Sequence, residues 1–232
     1  MADETERKTR GAFYGRRMGH PLRKKQAQIM REALPALSLD LAKPAPADLR
    51  TLFPQDVSAV RLEIGFGGGE NLLYEAKANP GIGYIGCDVY LNGVAQFVAA
   101  VSTARLPNIR VYHGDAQPLL DWLPEASLGR LDILYPDPWP KRRHWKRRFI
   151  SDERVKKIAR VIAPGGFLRF PNDIPHYGEW ALVRLLRSGC FEWTAEKASD
   201  WLEPWPGFPG TRYEAKAIRE GRKPAYFRFI RR

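Results

Sequence analysis

From residue 60 onward, short apolar segments alternate with amphipathic ones, and this alternation restricts the fold of the chain more than any other feature. The apolar segments have the length and composition of strands and cover residues 60–65, 83–88, 108–113, 131–135, 167–171 and 191–195. The intervening segments are predicted to be helices over residues 70–78, 93–104, 117–122, 152–162 and 176–188. Such alternation predicts an α/β fold with a mostly parallel sheet and helices on both faces. Residues 225–230, rich in aromatic side chains, predict a last, antiparallel strand.

The first 45 residues differ in character from the rest of the chain. Residues 1–24 are polar and basic and predict an arm that becomes ordered, if at all, on a binding partner; a tail without function is the alternative. Residues 26–37 are a helix candidate. We therefore predict an arm and helix over 1–45, followed by a single domain over 46–232. Within that domain, residues 201–222 are expected to form a long irregular loop.

The charge of the chain favours a polyanionic partner. Its 232 residues include 38 Lys and Arg against 26 Asp and Glu, a formal net charge of +12, which does not distinguish RNA, DNA or an anionic lipid. No apolar run approaches the roughly 20 residues of a membrane-spanning helix, and the N-terminus lacks the apolar stretch of a signal peptide. The two cysteines and four histidines are scattered. We expect a cytoplasmic protein, a monomer or homodimer, without a metal or a membrane partner.

One carboxylate stands out because two prolines enclose it. Pro136 ends the predicted fourth strand, since proline cannot donate a hydrogen bond to a sheet, and Pro138 restricts the backbone on the other side of Asp137. Ligands of open α/β sheets bind at the carboxyl ends of the strands, so we expect Asp137 to lie in a ligand site. Trp139 beside it can stack on a base or pack beneath its own loop.

A dense basic run follows this carboxylate. Its cations can bind phosphate groups and are Lys141, Arg142, Arg143, Lys146, Arg147 and Arg148. A carboxylate, an aromatic face and a basic run on one loop favour chemistry on a nucleobase. The alternative is a rigid turn followed by the solvated start of a basic helix.

The glycines after the first strand favour a nucleoside ligand without a diphosphate. Gly65 and Gly67 allow a tight turn and a close approach of the backbone to a ligand. The dinucleotide fingerprint has a third glycine where this chain has Glu70, and an acidic residue there would repel a diphosphate. Glu63, just before the turn, would suit a cationic or amino-bearing ligand.

Two further acids end the next predicted strands. Asp88 can accept hydrogen bonds from both ribose hydroxyls, and Asp115 can accept one from an adenine amino group. Together with Glu63, these acids favour S-adenosylmethionine over NAD. The alternative is that Asp88 and Asp115 only cap the helices that follow them.

These motifs resemble the bacterial tRNA (guanine-N7-)-methyltransferase family, from about Arg16 to the C-terminus. The most specific matches are Leu62-Glu63-Ile64-Gly65-Phe66-Gly67, Pro136-Asp137-Pro138-Trp139-Pro140-Lys141 with its basic continuation, and Thr211-Arg212-Tyr213-Glu214. The resemblance implies a Rossmann-like class I methyltransferase fold and S-adenosylmethionine as the methyl donor. It implies a guanine in the tRNA variable loop as the acceptor, with N7-methylguanosine as the product.

The resemblance also implies a role for each matched residue. Donor contacts are implied for Glu63, Gly65, Gly67, Asp88, Asp115 and Asp137, the last of which is the implied active-site residue. Acceptor contacts are implied for Lys141, Asp173, Thr211, Arg212, Tyr213 and Glu214. A methyltransferase acting on another RNA and a non-catalytic RNA-binding subunit are the alternatives. A methyltransferase acting on a protein or a small molecule would have no need of the basic run.

Overall fold

The computed structural model describes residue 15 and residues 17–232, which form a three-layer α/β arrangement. Within these residues, seven strands form one sheet in the order β3-β2-β1-β4-β5-β7-β6. The strands are β1 (Ala59–Ile64), β2 (Ile82–Asp88), β3 (Ile109–His113), β4 (Leu128–Ile133), β5 (Ile162–Asn172), β6 (Phe191–Trp193) and β7 (Ala225–Arg231). The first five strands are parallel, and β7 runs antiparallel to both β5 and β6. The predicted sheet and its antiparallel C-terminal strand are confirmed.

Helices cover both faces of this sheet. In the described part of the chain they are α1 (Lys24–Leu37), α2 (Glu70–Ala78), α3 (Leu91–Ala104), α4 (Ala116–Trp122), α5 (Asp152–Val161), α6 (Pro175–Arg187), α7 (Ser199–Leu202) and α8 (Arg212–Arg219). Short 3-10 helices occupy Leu49–Leu52 and Arg142–Arg147. Apolar residues of α4, α5 and α6 form one core cluster with the sheet, and those of α2 and α3 form a second. Helix α1 packs its apolar residues on the second cluster.

A buried ionic network holds α2 against the sheet. Glu75 of α2 pairs with Arg130 of β4 at 3.0 Å. It also pairs with Arg61 and Arg169, each at 3.2 Å, and Arg130 pairs in turn with Asp132 at 2.9 Å. Burial alone would raise the pKa of Glu75, but the three arginines hold it below its ordinary value. Because α2 begins where the glycine turn ends, the network also positions that turn.

Two of the differences between the structure and the sequence predictions concern segments that line the cavity. The fourth strand ends at Ile133 rather than at residue 135, because Tyr135 adopts a left-handed φ of 48° that takes the chain out of the sheet. The prediction of an irregular loop over 201–222 is wrong, since α8 lies inside it. Thr211 and Glu214 form a capping box at its start, a Thr-x-x-Glu signal that was present in the sequence.

The predicted N-terminal arm lies largely outside the described residues, which exclude 1–14 and 16. The part that is described runs beside the start of α3. The Leu91 N–H donates to the Arg17 carbonyl at 2.9 Å, and the Gly19 N–H donates to the Asn92 side chain at 2.7 Å. This end of the arm is therefore fixed to the body of the fold.

Candidate active site

The carboxyl ends of β1 to β4 surround a cavity of about 440 Å³. This volume is in the ordinary range of small-molecule sites, roughly 300–1,000 Å³. Its wall includes residues that the sequence predicted from distant parts of the chain: Gly65, Gly67, Asp88, Asp115, Asp137, Trp139, Arg147, Arg212 and Tyr213. The fold therefore brings the predicted donor residues, apart from Glu63, to one cavity.

The glycine turn is fixed by contacts that only glycine permits. Gly65, Gly67 and Gly69 all have positive φ, between 57° and 79°. A Cβ at Gly93, in the first turn of α3, would lie 2.3 Å from the Gly67 carbonyl oxygen. The turn is thus packed closely against α3, and its conformation and its contacts both exclude side chains.

Asp88 links the glycine turn to the end of β2. Its Oδ2 accepts a hydrogen bond from the Gly67 N–H at 2.6 Å, and its Oδ1 accepts one from the Tyr90 N–H at 2.7 Å. Burial raises the pKa of Asp88 despite these backbone donors. The carboxylate therefore holds the residues between β2 and α3 and also lines the cavity, but it does not cap α3, whose N-cap is Tyr90. The predicted ribose contact stays a prediction.

Asp115, which follows β3, both caps a helix and lines the cavity. Its Oδ1 accepts a hydrogen bond from the Gln117 N–H at 2.9 Å and so caps α4. Its Oδ2 accepts no hydrogen bond from the described residues, and Asp115 lines the cavity. One oxygen thus orders the helix while the other is left for a ligand.

Glu63 lies beneath the glycine turn rather than in the cavity wall. Its side chain is only 2% exposed and accepts a hydrogen bond from Asn71 Nδ2 at 2.7 Å. Burial and the neighbouring Asp132 raise the pKa of Glu63 to about 8. In this position Glu63 supports the turn from behind, and its predicted donor contact stays a prediction.

Asp137 is presented on a strained segment. Tyr135 and Trp139 adopt left-handed φ values of 48° and 43°, which non-glycine residues rarely take and which cluster at functional sites. The Asp137 carboxylate is exposed within the open cavity and forms no hydrogen bond or ion pair with the described residues. The surrounding walls remove part of its water and raise its pKa. Both oxygens of Asp137 are therefore available to a ligand.

Arg148 is removed from the predicted RNA-binding set, because its side chain is only 1% exposed. Its Nε donates to the Pro138 carbonyl at 2.9 Å, and a terminal nitrogen lies 2.9 Å from His176 Nδ1. The guanidinium also lies 5.0 Å from the ring centre of Trp145 and 4.9 Å from that of Trp180. The prediction for Arg148 is wrong, since an aromatic pocket encloses the cation. Its contact with Pro138 instead supports the loop that carries Asp137.

The rest of the basic run lies at the surface. Lys141, Arg142, Arg143 and Lys146 are exposed and form no ion pair within the described part of the chain. Arg147 lines the cavity, with its guanidinium 5.0 Å from the ring centre of Trp139. Trp139 therefore packs against its own loop, as one of the two alternatives predicted, and also lines the cavity; stacking on a base stays a prediction.

The predicted acceptor residues separate into two groups. Arg212 and Tyr213 line the cavity. Asp173 lies outside its wall and pairs with Arg222 at 2.6 Å. Glu214 is buried, 7% exposed; its Oε2 accepts from the Thr211 N–H at 3.2 Å, and its Oε1 accepts from a tyrosine hydroxyl of β7. Both oxygens of Glu214 are thus engaged within the protein.

Sequence reasoning missed Arg154, which also lines the cavity. Its Nη1 donates to the carbonyls of Arg148 and Phe149 at 3.3 and 3.4 Å, and its guanidinium lies 5.2 Å from the Phe149 ring centre. Arg154 stands in the first turn of α5, where a cation is disfavoured by the helix dipole. An arginine at this unfavourable position is the feature of the sequence that could have indicated a role in the site.

Comparison with known proteins places this chain in a family. Residues 58–226 match the family model described as putative methyltransferase. The chain is 54% identical over 225 residues to the tRNA (guanine-N(7)-)-methyltransferase of Mesorhizobium japonicum, covering 97% of each chain. It is 52% identical over 233 residues to the protein of that name from Brucella melitensis, covering 100% of each. The chain belongs to the tRNA (guanine-N(7)-)-methyltransferase family.

Solved structures with low sequence identity share the fold of this chain, and the likeness supports the fold only. The 16S rRNA methyltransferase KamB has a TM-score of 0.55 and 18% identity, over 76% of this chain and 90% of that one. The [4+2]-cyclase SpnF has a TM-score of 0.52 and 16% identity, over 82% and 84%. Because proteins named for such different reactions share the fold, the site and the close relatives must carry any functional conclusion.

The described residues show neither a membrane-spanning helix nor a metal cluster. No helix among them is both long and apolar enough to cross a membrane. Nor do they contain a group of three or more His, Cys, Asp or Glu side chains arranged to hold a metal ion.

Replacing Glu63 should change how stability depends on pH. Its folded-state pKa of about 8 lies above the ordinary 4.5, so the folded protein retains a proton that the unfolded chain releases. This group therefore lowers the free energy of unfolding as pH rises between the two values. In Glu63→Gln that decline should be absent, and the variant should gain stability relative to the wild type as pH increases. Urea denaturation between about pH 5 and 8 measures this. Parallel profiles would contradict it, and Glu153→Gln on the surface of α5 is the control.

Replacing Arg148 should destabilise the fold rather than weaken RNA binding. Arg148→Met removes a hydrogen bond to Pro138 and the contacts with the aromatic pocket, and should lower the free energy of unfolding by about 2–3 kcal/mol. Arg143→Met, a matched change at the surface, should stay within about 0.5 kcal/mol. Urea denaturation measures both variants. Equal effects in the two would show that burial gives Arg148 no structural role.

Proposed function

We propose that this protein transfers the methyl group of S-adenosylmethionine to N7 of a guanine in the variable loop of tRNA, forming N7-methylguanosine. The observation that carries the proposal is the 52–54% identity, over nearly the whole chain, to relatives named tRNA (guanine-N(7)-)-methyltransferase. The site geometry supports it independently, since Asp88, Asp115 and Asp137 line one cavity and the exposed basic turn directly follows Asp137 in the chain.

The donor cavity fits S-adenosylmethionine. Gly65 and Gly67 permit a close approach of the backbone, and Asp88 and Asp115 place acceptor oxygens at two neighbouring strand ends. Glu70 at the start of α2 disfavours a diphosphate but not a donor without phosphate. When bound, the donor supplies a methyl group on a positively charged sulfur.

The acceptor atom decides what the protein must do. Guanine N7 has an in-plane lone pair and no proton, so its methylation needs no general base and yields a cationic purine. The task of the chain is therefore alignment and support of positive charge. The free carboxylate of Asp137 meets this requirement through hydrogen bonds or charge. Because desolvation raises its pKa, Asp137 loses its charge at a higher pH than an ordinary aspartate, and activity should fall on the acid side accordingly.

The exposed cations next to this loop bind the phosphate groups of tRNA. Lys141, Arg142, Arg143 and Lys146 follow Asp137 within nine positions and face solvent. Phosphate contacts of this kind give affinity without reading sequence, so recognition of the guanine itself falls to the cavity.

The function is tested directly by nucleoside mass spectrometry of unmodified tRNA after incubation with the protein and labelled donor. Labelled N7-methylguanosine in the variable loop is the expected product. A tRNA carrying 7-deazaguanine at the target position lacks the acceptor atom and should remain unlabelled. Label elsewhere in the tRNA, or only in another RNA, would overturn the assignment of the acceptor. Binding of tRNA without transfer would indicate a non-catalytic subunit.

Asp137→Asn should lower the single-turnover rate of methyl transfer by about 10²–10³-fold, because it removes the charge that supports the cationic product. Donor affinity should change far less, and circular dichroism should show an intact fold. Asp56→Asn, an exposed site away from the cavity, is the matched control. A folded Asp137→Asn protein with a near-normal rate would exclude this carboxylate from the reaction.

The basic turn should determine how tRNA binding responds to salt. Changing Arg142, Arg143 and Lys146 together to glutamine should reduce the slope of log affinity against log salt by about 0.7–0.9 for each phosphate group that the variant no longer neutralises. Donor binding should persist, since the glycine turn and Asp88 lie on other elements. Filter binding at several salt concentrations gives the slope. An unchanged slope would assign the phosphate contacts to another surface.

A further inference from the structure

The first turn of α8 is attached to both helices that adjoin the glycine turn. Arg212 forms an ion pair with Glu70, the first residue of α2, although the two are 142 positions apart in the chain. Its Nη2 also donates to Gln96 Oε1 of α3 at 3.3 Å. One guanidinium therefore connects the segment implied in acceptor binding to the elements that hold the donor.

The glycine turn leaves room for this segment. A Cβ at Gly68 would lie only 1.7 Å from Arg212 Nη2, and one at Gly67 would lie 3.4 Å from Tyr213 Cε2. Arg212 thus occupies space that a side chain at Gly68 would need, while Tyr213 lies at ordinary van der Waals distance from Gly67. Gly68 therefore serves the contact with α8.

This arrangement places Tyr213 in the cavity wall. Its ring lines the cavity together with Asp88 and Asp137, while its side chain remains about half exposed at the mouth. The far side of the same helical turn is fixed independently, because Glu214 bonds to the Thr211 N–H and to Tyr226. The Arg212 contacts are therefore what orient the cavity side of α8.

We infer that Glu70 and Gln96 are positioning residues for methyl transfer, which through Arg212 hold Tyr213 over the donor cavity. The inference rests on the proposed function and assigns a role to two side chains that the motifs do not include. With these contacts formed, Tyr213 retains the donor and completes the cavity on the acceptor side. With them broken, the donor escapes faster while the exposed basic turn still binds tRNA.

The variants for the test change Glu70 in two steps. Glu70→Gln removes the charge, and Glu70→Lys reverses it and repels Arg212. Asp152→Asn is the matched control, since Asp152 is also an acid at the first position of a helix, pairs with an arginine and does not line the cavity. It reports what loss of a helix N-terminal charge does by itself.

The first readout is binding of S-adenosylhomocysteine by calorimetry, which needs no tRNA. Because the ion pair is partly exposed, Glu70→Gln should weaken binding by only about two- to fivefold, and Glu70→Lys by about tenfold or more. Single-turnover methylation should fall in the same order, with tRNA affinity within about twofold of the wild type. Donor binding in Glu70→Lys equal to that in Asp152→Asn would overturn the inference.

A double-mutant cycle distinguishes positioning from a general structural effect. If Glu70 acts by holding Tyr213, the losses of donor affinity in Glu70→Lys and Tyr213→Ala should not add in the double variant. Additive losses would show that Glu70 acts by another route. Should the wild type bind donor but fail to methylate tRNA, the proposed function would fail while the cycle still decides the role of Glu70.

Discussion

The parallel register of the central strands is the constraint on which the site depends. Ile64 of β1 lies beside Cys87 of β2 and Ile133 of β4, so these strands end at the same level of the sheet. Parallel pairing directs all of their carboxyl ends to one edge. The glycine turn, Asp88 and the Pro-Asp-Pro segment therefore emerge together, although they are far apart in sequence. The position of the cavity therefore follows from the direction and register of the strands, independently of the side chains that line it.

The site also depends on charged side chains that lie outside the cavity wall. Glu75 ties α2 to the sheet through arginines of three strands, and this anchors the helix on which the glycine turn ends. Arg148 has a similar role for the neighbouring loop, since its Nε holds the Pro138 carbonyl beside Asp137. Removing Glu75 would take a carboxylate partner from three buried or half-buried arginines at once, so this contact is costly to break. The exposed basic turn proposed to bind tRNA and the buried contacts beneath the site both use arginine, for different reasons.

The sequence predicts features that depend on neighbouring residues better than features that depend on contacts between distant parts of the chain. Strand ends, glycine turns and a proline-bounded carboxylate are local signals, and they correctly located Gly65, Asp88 and Asp137 in one cavity. Burial is not a local property. Arg143 and Arg148 stand in the same basic run, yet only Arg148 meets an aromatic pocket, part of which comes from α6. Helix α8 was missed although its capping box is local, because the surrounding prolines and glycines outweighed one Thr-x-x-Glu signal.

The three acids that line the cavity and the buried Glu214 differ in the hydrogen bonds that their oxygens accept, and this difference fits the proposed chemistry. Asp88 accepts two backbone hydrogen bonds, Asp115 accepts one, and Glu214 is engaged at both oxygens. Asp137 accepts none from the described residues, although its backbone is the most restricted of the four. N7 of guanine offers no proton to take, so the proposed reaction needs no general base. A rigid carboxylate with free oxygens is what a reaction needs when its demand is orientation and compensation of a new positive charge. Two features restrict the segment that carries Asp137 without contacting its carboxylate. One is the left-handed backbone at Tyr135 and Trp139, and the other is the hydrogen bond from Arg148 to the Pro138 carbonyl.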